Sequence, residues 1–293
     1  MTGGRGATDA SSEFAVDAGG LRFHAVSWGP ADGVPLLALH GFPQHAGSWD
    51  RVAPLLAEQG IRTVAFDQRG YSPEARVPLD QYSLDAVVAD AVGVADALGW
   101  DRVHLAGFGQ GALQSWSTAA AHPDRIASLT ALRFPHPAAF AEGVRTDPAQ
   151  RRAWDELESM SPPLPAAEQL LRDDAAGLRA FLAASGMRPE LVRETVARLR
   201  DPEVLEAAVA WHLIPVEAMA EVPPVAVPAL YVFSQGPALL PATAALCARF
   251  ARGPFRMVEL DEGGHWLLDT AAVRISALIG EHIRAAEAGA ARA

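Results

Sequence analysis

The stretch Val103-His104-Leu105-Ala106-Gly107-Phe108-Gly109-Gln110-Gly111-Ala112-Leu113-Gln114 constrains this chain more than any other. An apolar run from Val103 to Ala106 reads as a buried strand, and helix-forming residues follow from about Gln110 to Ala121. Between them glycines stand at 107, 109 and 111. Glycine spacing of this kind lets a strand turn sharply into a helix and thrust one residue out over the sheet edge. The residue at the tip is Gly109, which has no side chain to present.

The rest of the chain alternates in the same way. Pro35 to His40 is apolar on both faces, the pattern of a central parallel strand covered by helices on either side. Glu13–Asp17 and Leu21–Trp28, broken by Gly19-Gly20, predict an opening antiparallel hairpin. A helix from about Trp49 to Gln59, a strand at Arg62–Phe66, a helix with apolar period over Leu84–Leu98, and a strand at Ala127–Leu132 continue the series. Strand and helix in alternation imply parallel strands joined by right-handed crossovers, hence an α/β fold with a doubly wound, mostly parallel sheet.

Between Pro135 and Pro228 the texture changes. Val144–Ser161, Ala166–Asp174, Ala176–Ser185, Arg188–Arg200 and Pro202–Leu213 all read as helices, with no strand among them. Residues 135–220 are therefore expected to form an inserted helical lid, and residues 13–134 and 221–293 the core that resumes with a strand at Pro228–Phe233. Residues 1–12 are polar and glycine-rich and are expected to be a disordered arm rather than a signal peptide.

Charge narrows the partners. The 24 basic and 35 acidic residues give a formal charge of -11, which disfavours nucleic acid and anionic membrane surfaces. No run approaches the roughly 20 apolar residues of a membrane span, so a cytoplasmic location is expected. The lone cysteine, Cys247, sits in a helical pattern and is expected to pack as a small hydrophobe. None of the nine histidines falls into a metal-ligand spacing, so no metal site is expected.

Several motifs in order carry a family resemblance: His40-Gly41-Phe42-Pro43, Asp67-Gln68-Arg69-Gly70-Tyr71-Ser72, Gly107-x-x-x-Gly111, Ser128 to Leu132 with Pro135-His136-Pro137, Leu230-Tyr231-Val232-Phe233-Ser234, and Gly263-Gly264-His265-Trp266. Together they resemble the epoxide hydrolase and haloalkane dehalogenase branch of the α/β-hydrolase superfamily. The resemblance implies an α/β-hydrolase fold with an inserted helical lid. It also implies an oxyanion hole formed by the backbone N–H groups of Phe42 and Gln110. His265 is identified as the retained triad histidine.

The chain departs from that pattern at two points. The nucleophile position is vacated at Gly109, behind Phe108, and the acid position is vacated at Pro237. An acyl or alkyl enzyme needs a nucleophile, so covalent hydrolysis is not expected. What remains is a histidine, two N–H donors and a glycine-floored hollow, which suits enolate chemistry alpha to a carbonyl. No cofactor is required. Phe108, His45, Trp154, Trp211 and Trp266 are the candidates for the pocket wall, His40 and His136 are expected to bond backbone, and His212 is expected to be a packing or surface residue.

The missing parts resemble the atypical α/β-hydrolase-fold epimerase family of bottromycin biosynthesis, which lacks a working triad and inverts an aspartate beside a thiazoline in a macrocyclic peptide. That resemblance implies an epimerase or isomerase acting on a bulky, largely apolar small molecule or modified macrocyclic peptide. Either His265 or the substrate's own carboxylate would then be the base. Two other readings stand beside it: an ester or epoxide hydrolase whose nucleophile was mutated, and a non-catalytic binder of a hydrophobic metabolite.

Overall fold

The computed structural model describes residues 11–158, 163–234, 239–260 and 264–292. The eight strands are β1 (Ser12–Ala18), β2 (Leu21–Trp28), β3 (Val34–Leu39), β4 (Ile61–Phe66), β5 (Val103–Phe108), β6 (Ile126–Leu132), β7 (Ala229–Phe233) and β8 (Phe255–Glu259). They form one sheet in the order β1-β2-β4-β3-β5-β6-β7-β8. The ladders of β1 with β2 and β2 with β4 are antiparallel. From β4 to β8 the strands run parallel.

Ser12 opens β1 and pairs with Ser27, so the sheet claims the last residue that sequence pattern had assigned to the amino-terminal arm. The strand ladder, rather than polarity, sets that boundary.

Alternation along the central strands makes two cores. Leu37 and Leu39 of β3, with Val103 and Leu105 of β5, face one apolar cluster. Leu36 and Ala38, with Ala106 and Phe108, face the other. Successive strand side chains point to opposite faces, so runs without polar residues are what a sheet covered on both sides demands. Helices α1 (Ala53–Ala57), α2 (Leu84–Ala97) and α3 (Gln110–Ala121) supply part of that cover. The helix expected over Trp49–Gln59 is instead a 3₁₀ turn at Ala46–Trp49 followed by the short α1, which carries Pro54 in its first turn.

Between β6 and β7 lie α4 (Pro137–Thr146), α5 (Pro148–Glu158), α6 (Pro163–Ala184), α7 (Pro189–Arg198), α8 (Pro202–Ala210) and α9 (Val216–Ala220). The start of α4 seven residues before Val144 follows from local chemistry. His136 Nδ1 accepts the Ala138 N–H at 3.2 Å, and Pro137 occupies the first helical turn, where its missing N–H costs nothing. The expected single helix over Val144–Ser161 breaks at Asp147-Pro148, where Asp147 Oδ1 caps the Ala149 N–H at 2.8 Å. Within α6 the backbone breaks at Arg172–Ala175, and Asp173, Asp174 and Ala175 take positive φ. After β7 come α10 (Pro241–Ala245), α11 (Leu267–Thr270) and α12 (Ala272–Ala290).

These inserted helices have their own apolar cluster, in which Leu178, Leu182 and Leu205 pack with Trp266 from the core. Polar ties fasten them down. Trp211 Nε1 donates to the Arg69 carbonyl at 3.1 Å, and Trp266 Nε1 donates to the Ser185 carbonyl at 3.1 Å. Arg69 is itself clamped by both oxygens of Asp90 at 2.7 and 2.8 Å.

The turn from β5 into α3 is packed backbone against backbone. A Cβ on Gly111 would stand 2.2 Å from the Leu39 carbonyl oxygen, and one on Gly107 would stand 2.1 Å from the Gly111 carbonyl oxygen. At Gly109 (φ 56°) the nearest heavy atom to such a Cβ is 3.7 Å away. Gly111→Ala is therefore expected to destabilise by about 1–3 kcal/mol or more through forced backbone movement. Gly109→Ala should cost only the backbone conformation, about 1–2 kcal/mol. Urea unfolding of the two variants checks the order, and equal losses would contradict it.

Burial of neutral histidines gives a second expectation. His40, His104 and His136 are all nearly inaccessible, and burial pushes each imidazole down to about 4. Folded values below the ordinary 6.5 mean that the unfolded chain binds more protons between pH 6.5 and 4. Their contribution is complete above pH 6.5 and is lost as pH falls toward 4, at up to about 1.4 kcal/mol per pH unit for each fully unmatched proton. His24, raised by its hydrogen bond to Asp67, pulls the other way. Melting followed by circular dichroism should show Tm falling steadily from pH 7 to pH 4.5; a flat profile would mean that these rings are not buried neutral.

Candidate active site

The carboxyl ends of β3, β5, β6 and β7 converge on one cavity that encloses about 1020 Å³ of atom-free space, its open mouth included. Open α/β sheets bind ligands at this edge. Phe108, Gly109 and Leu113 line it from the strand–helix turn, and Phe42 and Pro43 from the loop after β3. The inserted helices and the links between them contribute Phe140, Trp154, Phe181, Trp211, His212 and Met219. Apart from Gln110, Arg133, Ser185 and the two histidines, the wall among the described residues is apolar or glycine, and it holds no carboxylate.

Gly109 sits at φ 56° and ψ -118°, immediately before α3, and its N–H donates to the Leu132 carbonyl at 3.0 Å. Positive φ is an ordinary state for glycine and a costly one for other residues. The turn thus has the geometry to expose a side chain, and exposes none. Gln110 is the first residue of α3, so its N–H is one of the helix's unpaired donors. The Gly41 backbone lies against the same turn: a Cβ on Gly41 would be 3.4 Å from the Gln110 nitrogen. Among the described residues the Phe42 N–H donates to no backbone carbonyl. Phe42 and Gln110 both line the cavity beside Gly109.

His265 borders it from the loop before α11. Its ring meets Phe108 edge-on at 5.9 Å and Trp266 at 4.5 Å between centroids. Its Nδ1 lies 3.1 Å from Nη2 of Arg133. Burial, and after it the Arg133 charge, push the imidazole down to about 3. Arg133 lies just past the end of β6, with φ 74°. Its Nη1 donates to the Ser234 carbonyl at 2.8 Å and to Ser234 Oγ at 2.7 Å, so the guanidinium bridges the end of β7 and His265.

Sequence reasoning passed over Arg133 as an unremarked position between Leu132 and Pro135. The available signal was a lone charge between Leu132 and Phe134, at the sheet edge where buried charge has to be held. His212 was set aside as packing, yet it lines the cavity and meets Phe42 edge-on at 5.3 Å. Its Nδ1 is 3.1 Å from the Val209 carbonyl, so Nδ1 carries the proton and Nε2 the lone pair. Burial lowers its pKa.

Of the expected wall residues, Phe108, Trp154, Trp211 and Trp266 border the cavity and His45 does not. The correction has a local cause. His45 caps the 3₁₀ turn through Nδ1, which accepts the Gly47 N–H at 3.0 Å, and its Nε2 faces Glu194 on α7 at 3.4 Å. Pro237, the expected acid position, lies outside the described residues. His40 and His136 bond backbone: Nε2 of His40 accepts the Gln68 N–H at 3.0 Å, and Nε2 of His136 donates to the Pro223 carbonyl at 3.1 Å. Cys247 is buried, its thiol pushed up to about 12 by burial, and it accepts the His136 N–H at 3.1 Å.

Away from the cavity a serine–histidine–carboxylate contact joins Ser128, His104 and Glu287, at 2.8 and 3.2 Å. The Ser128 side chain is sealed at 1% exposure, so this is internal bracing and not a nucleophile. Among the described residues no cluster of histidine, cysteine or acidic side chains can hold a metal ion, and no helix is long and apolar enough to cross a membrane.

Comparison with known proteins agrees with the topology. Epoxide hydrolase 4 of Mus musculus is 38% identical over 133 residues, which cover 45% of this chain and 36% of that protein. Epoxide hydrolase B of Mycobacterium tuberculosis (strain ATCC 25618 / H37Rv) is 36% identical over 140 residues, 46% of this chain and 39% of that protein. The chain thus matches about two-fifths of the length of these curated relatives. Among solved structures, a Bacillus megaterium epoxide hydrolase in complex with an inhibitor superposes with a TM-score of 0.81 at 22% identity, covering 92% of this chain and 100% of that one. An epoxide hydrolase from metagenomes of hot environments superposes at 0.82 and 22% identity, covering 93% and 98%. These structural likenesses speak for the fold. The family model described as alpha/beta hydrolase fold matches residues 34–272, and the chain belongs to that family.

Proposed function

We propose that this chain is a non-hydrolytic enzyme that moves a proton on the carbon alpha to a carbonyl in a bulky, largely apolar, peptide-derived ligand, inverting the stereocentre. A bottromycin-type aspartate beside a thiazoline in a macrocycle is the specific substrate. The observation that supports this reading is that Phe42, Gln110 and His265 line one cavity together with a glycine at position 109. Such a site can hold a developing oxyanion but cannot form a covalent intermediate from position 109.

Breaking the Cα–H bond sends its electron pair to the carbonyl oxygen, giving an enolate held by the Phe42 and Gln110 N–H groups. The proton passes to the substrate's own carboxylate or to Nε2 of His212, rather than to the His265 that the sequence offers as base, because a guanidinium faces Nδ1 of that ring, and one proton returns to the opposite face. No cofactor takes part in these steps. The helical segment over residues 137–220, acting as a lid, supplies aromatic surface that fits a macrocycle and keeps water from the enolate.

Candidate aspartyl-thiazoline macrocycles incubated with the protein in deuterated water should gain one deuterium at the alpha carbon, read by mass spectrometry. The Asn-for-Asp analogue separates the two proton acceptors: exchange lost in the analogue assigns the substrate carboxylate, and exchange retained assigns His212. Tight binding with no exchange for any candidate would make the chain a binder and overturn the proposal.

The named epoxide hydrolases among its relatives favour a second reading, epoxide opening by a nucleophile that has been replaced at position 109. Restoring a carboxylate tests it, since a Cβ at Gly109 meets no heavy atom closer than 3.7 Å. Gly109→Asp is expected to give no catalytic turnover of styrene oxide, because a guanidinium stands where the histidine needs an acid. Sustained diol formation would establish the hydrolase reading instead.

A further inference from the structure

In a hydrolytic triad the acid accepts the Nδ1–H of histidine, which leaves a lone pair on Nε2 to take the nucleophile's proton. Here the group facing Nδ1 is Nη2 of Arg133, at 3.1 Å. A guanidinium carries donors only, so Nδ1 must be the acceptor. The single proton of the ring then resides on Nε2.

Arg133 is built into this position from several sides. Besides the two bonds from Nη1 to Ser234, its carbonyl accepts the Tyr231 hydroxyl at 3.1 Å and its own N–H donates to the Val232 carbonyl at 2.9 Å. Ser234 Oγ in turn donates to the Gly264 carbonyl at 2.8 Å, next to His265. The left-handed backbone at Arg133, φ 74°, costs a non-glycine residue about 1–3 kcal/mol and persists only where its surroundings hold it. Strain of this kind is concentrated at sites that use it.

We propose that Arg133 is a positioning residue that reverses the polarity of the ancestral histidine. It fixes His265 as the neutral Nε2–H tautomer, so that the imidazole offers the cavity a hydrogen-bond donor for a carbonyl or enolate oxygen.

His265 then keeps its proton throughout the reaction and joins the Phe42 and Gln110 N–H groups as a third donor. The buried cation behind the ring strengthens that donor, because charge acts over short distance in an apolar site with little screening. His212, whose Nδ1–H is bonded to the Val209 carbonyl, presents the opposite face of imidazole chemistry, a lone pair. The two histidines of the cavity are therefore not interchangeable. Only the identity of the bound oxygen rests on the proposed epimerisation; the tautomer does not.

The test uses the full chain labelled with nitrogen-15 at histidine. Two-bond proton–nitrogen correlation spectra, with His265 assigned by the signals lost in His265→Asn, identify which ring nitrogen bears the proton. The wild-type protein should show Nε2–H, unchanged from pH 8 to pH 5. Arg133→Lys keeps a donor and should keep that pattern. Arg133→Glu supplies an acceptor and should move the proton to Nδ1, bring titration of His265 back into the range of pH 5–8, and slow alpha-carbon exchange on the order of 10²-fold with KM little changed. A wild-type Nδ1–H signal, or wild-type titration near pH 6.5, would overturn the proposal. If Arg133→Glu does not fold, the wild-type and lysine spectra still decide. Nε2–H without any exchange would sink the epimerase reading and leave this one, and exchange with Nδ1–H would do the reverse.

Discussion

Everything at the candidate site hangs on backbone meeting backbone where β5 turns into α3. Gly111 rides against the Leu39 carbonyl and Gly107 against the carbonyl of Gly111, at separations that exclude even a methyl group. That contact seats the amino end of α3 beside the loop carrying Phe42, so that Phe42 and Gln110 line one cavity. It also fixes where the tip of the turn lies, whatever residue occupies it. The frame is therefore indifferent to the residue at position 109, because its geometry comes from what Gly107 and Gly111 lack and not from what the tip carries.

The fold was legible in the sequence for the same reason. Strands such as Leu36–Leu39 and Leu105–Phe108 must be apolar on both faces to be covered twice, and that pattern survives in a single chain. The strand–turn–helix corner and the ordered motifs placed Phe42, Gly109, Gln110 and His265 around one cavity. Boundaries within the helical segment were harder. The break at Asp147-Pro148 and the start of α4 at Pro137 depend on side-chain caps, which periodicity does not record.

Arg133 and His45 show where pattern stops being informative. His45 lies near the oxyanion loop in the chain, but its ring nitrogens are taken up by Gly47 and by Glu194, nearly 150 positions later. Arg133 and His265 are 132 residues apart and share no motif, and only the folded sheet brings the ends of β6 and β7 to the same histidine. Contacts made across such a distance in the chain leave no local pattern for a sequence to display.

The aromatic roof has one more implication. It is joined to the sheet domain partly through indole N–H groups, that of Trp211 to the Arg69 carbonyl and that of Trp266 shared between the carbonyl and hydroxyl of Ser185, each worth about 1 kcal/mol net. Both indoles are also buried, and Arg76 adds ion pairs to Asp201 and Glu203, so polar ties and aromatic packing act together on the same helices. The same two rings that line the cavity thus anchor its roof, so a substitution at Trp211 or Trp266 alters the shape of the hollow and the seating of the helices above it at once.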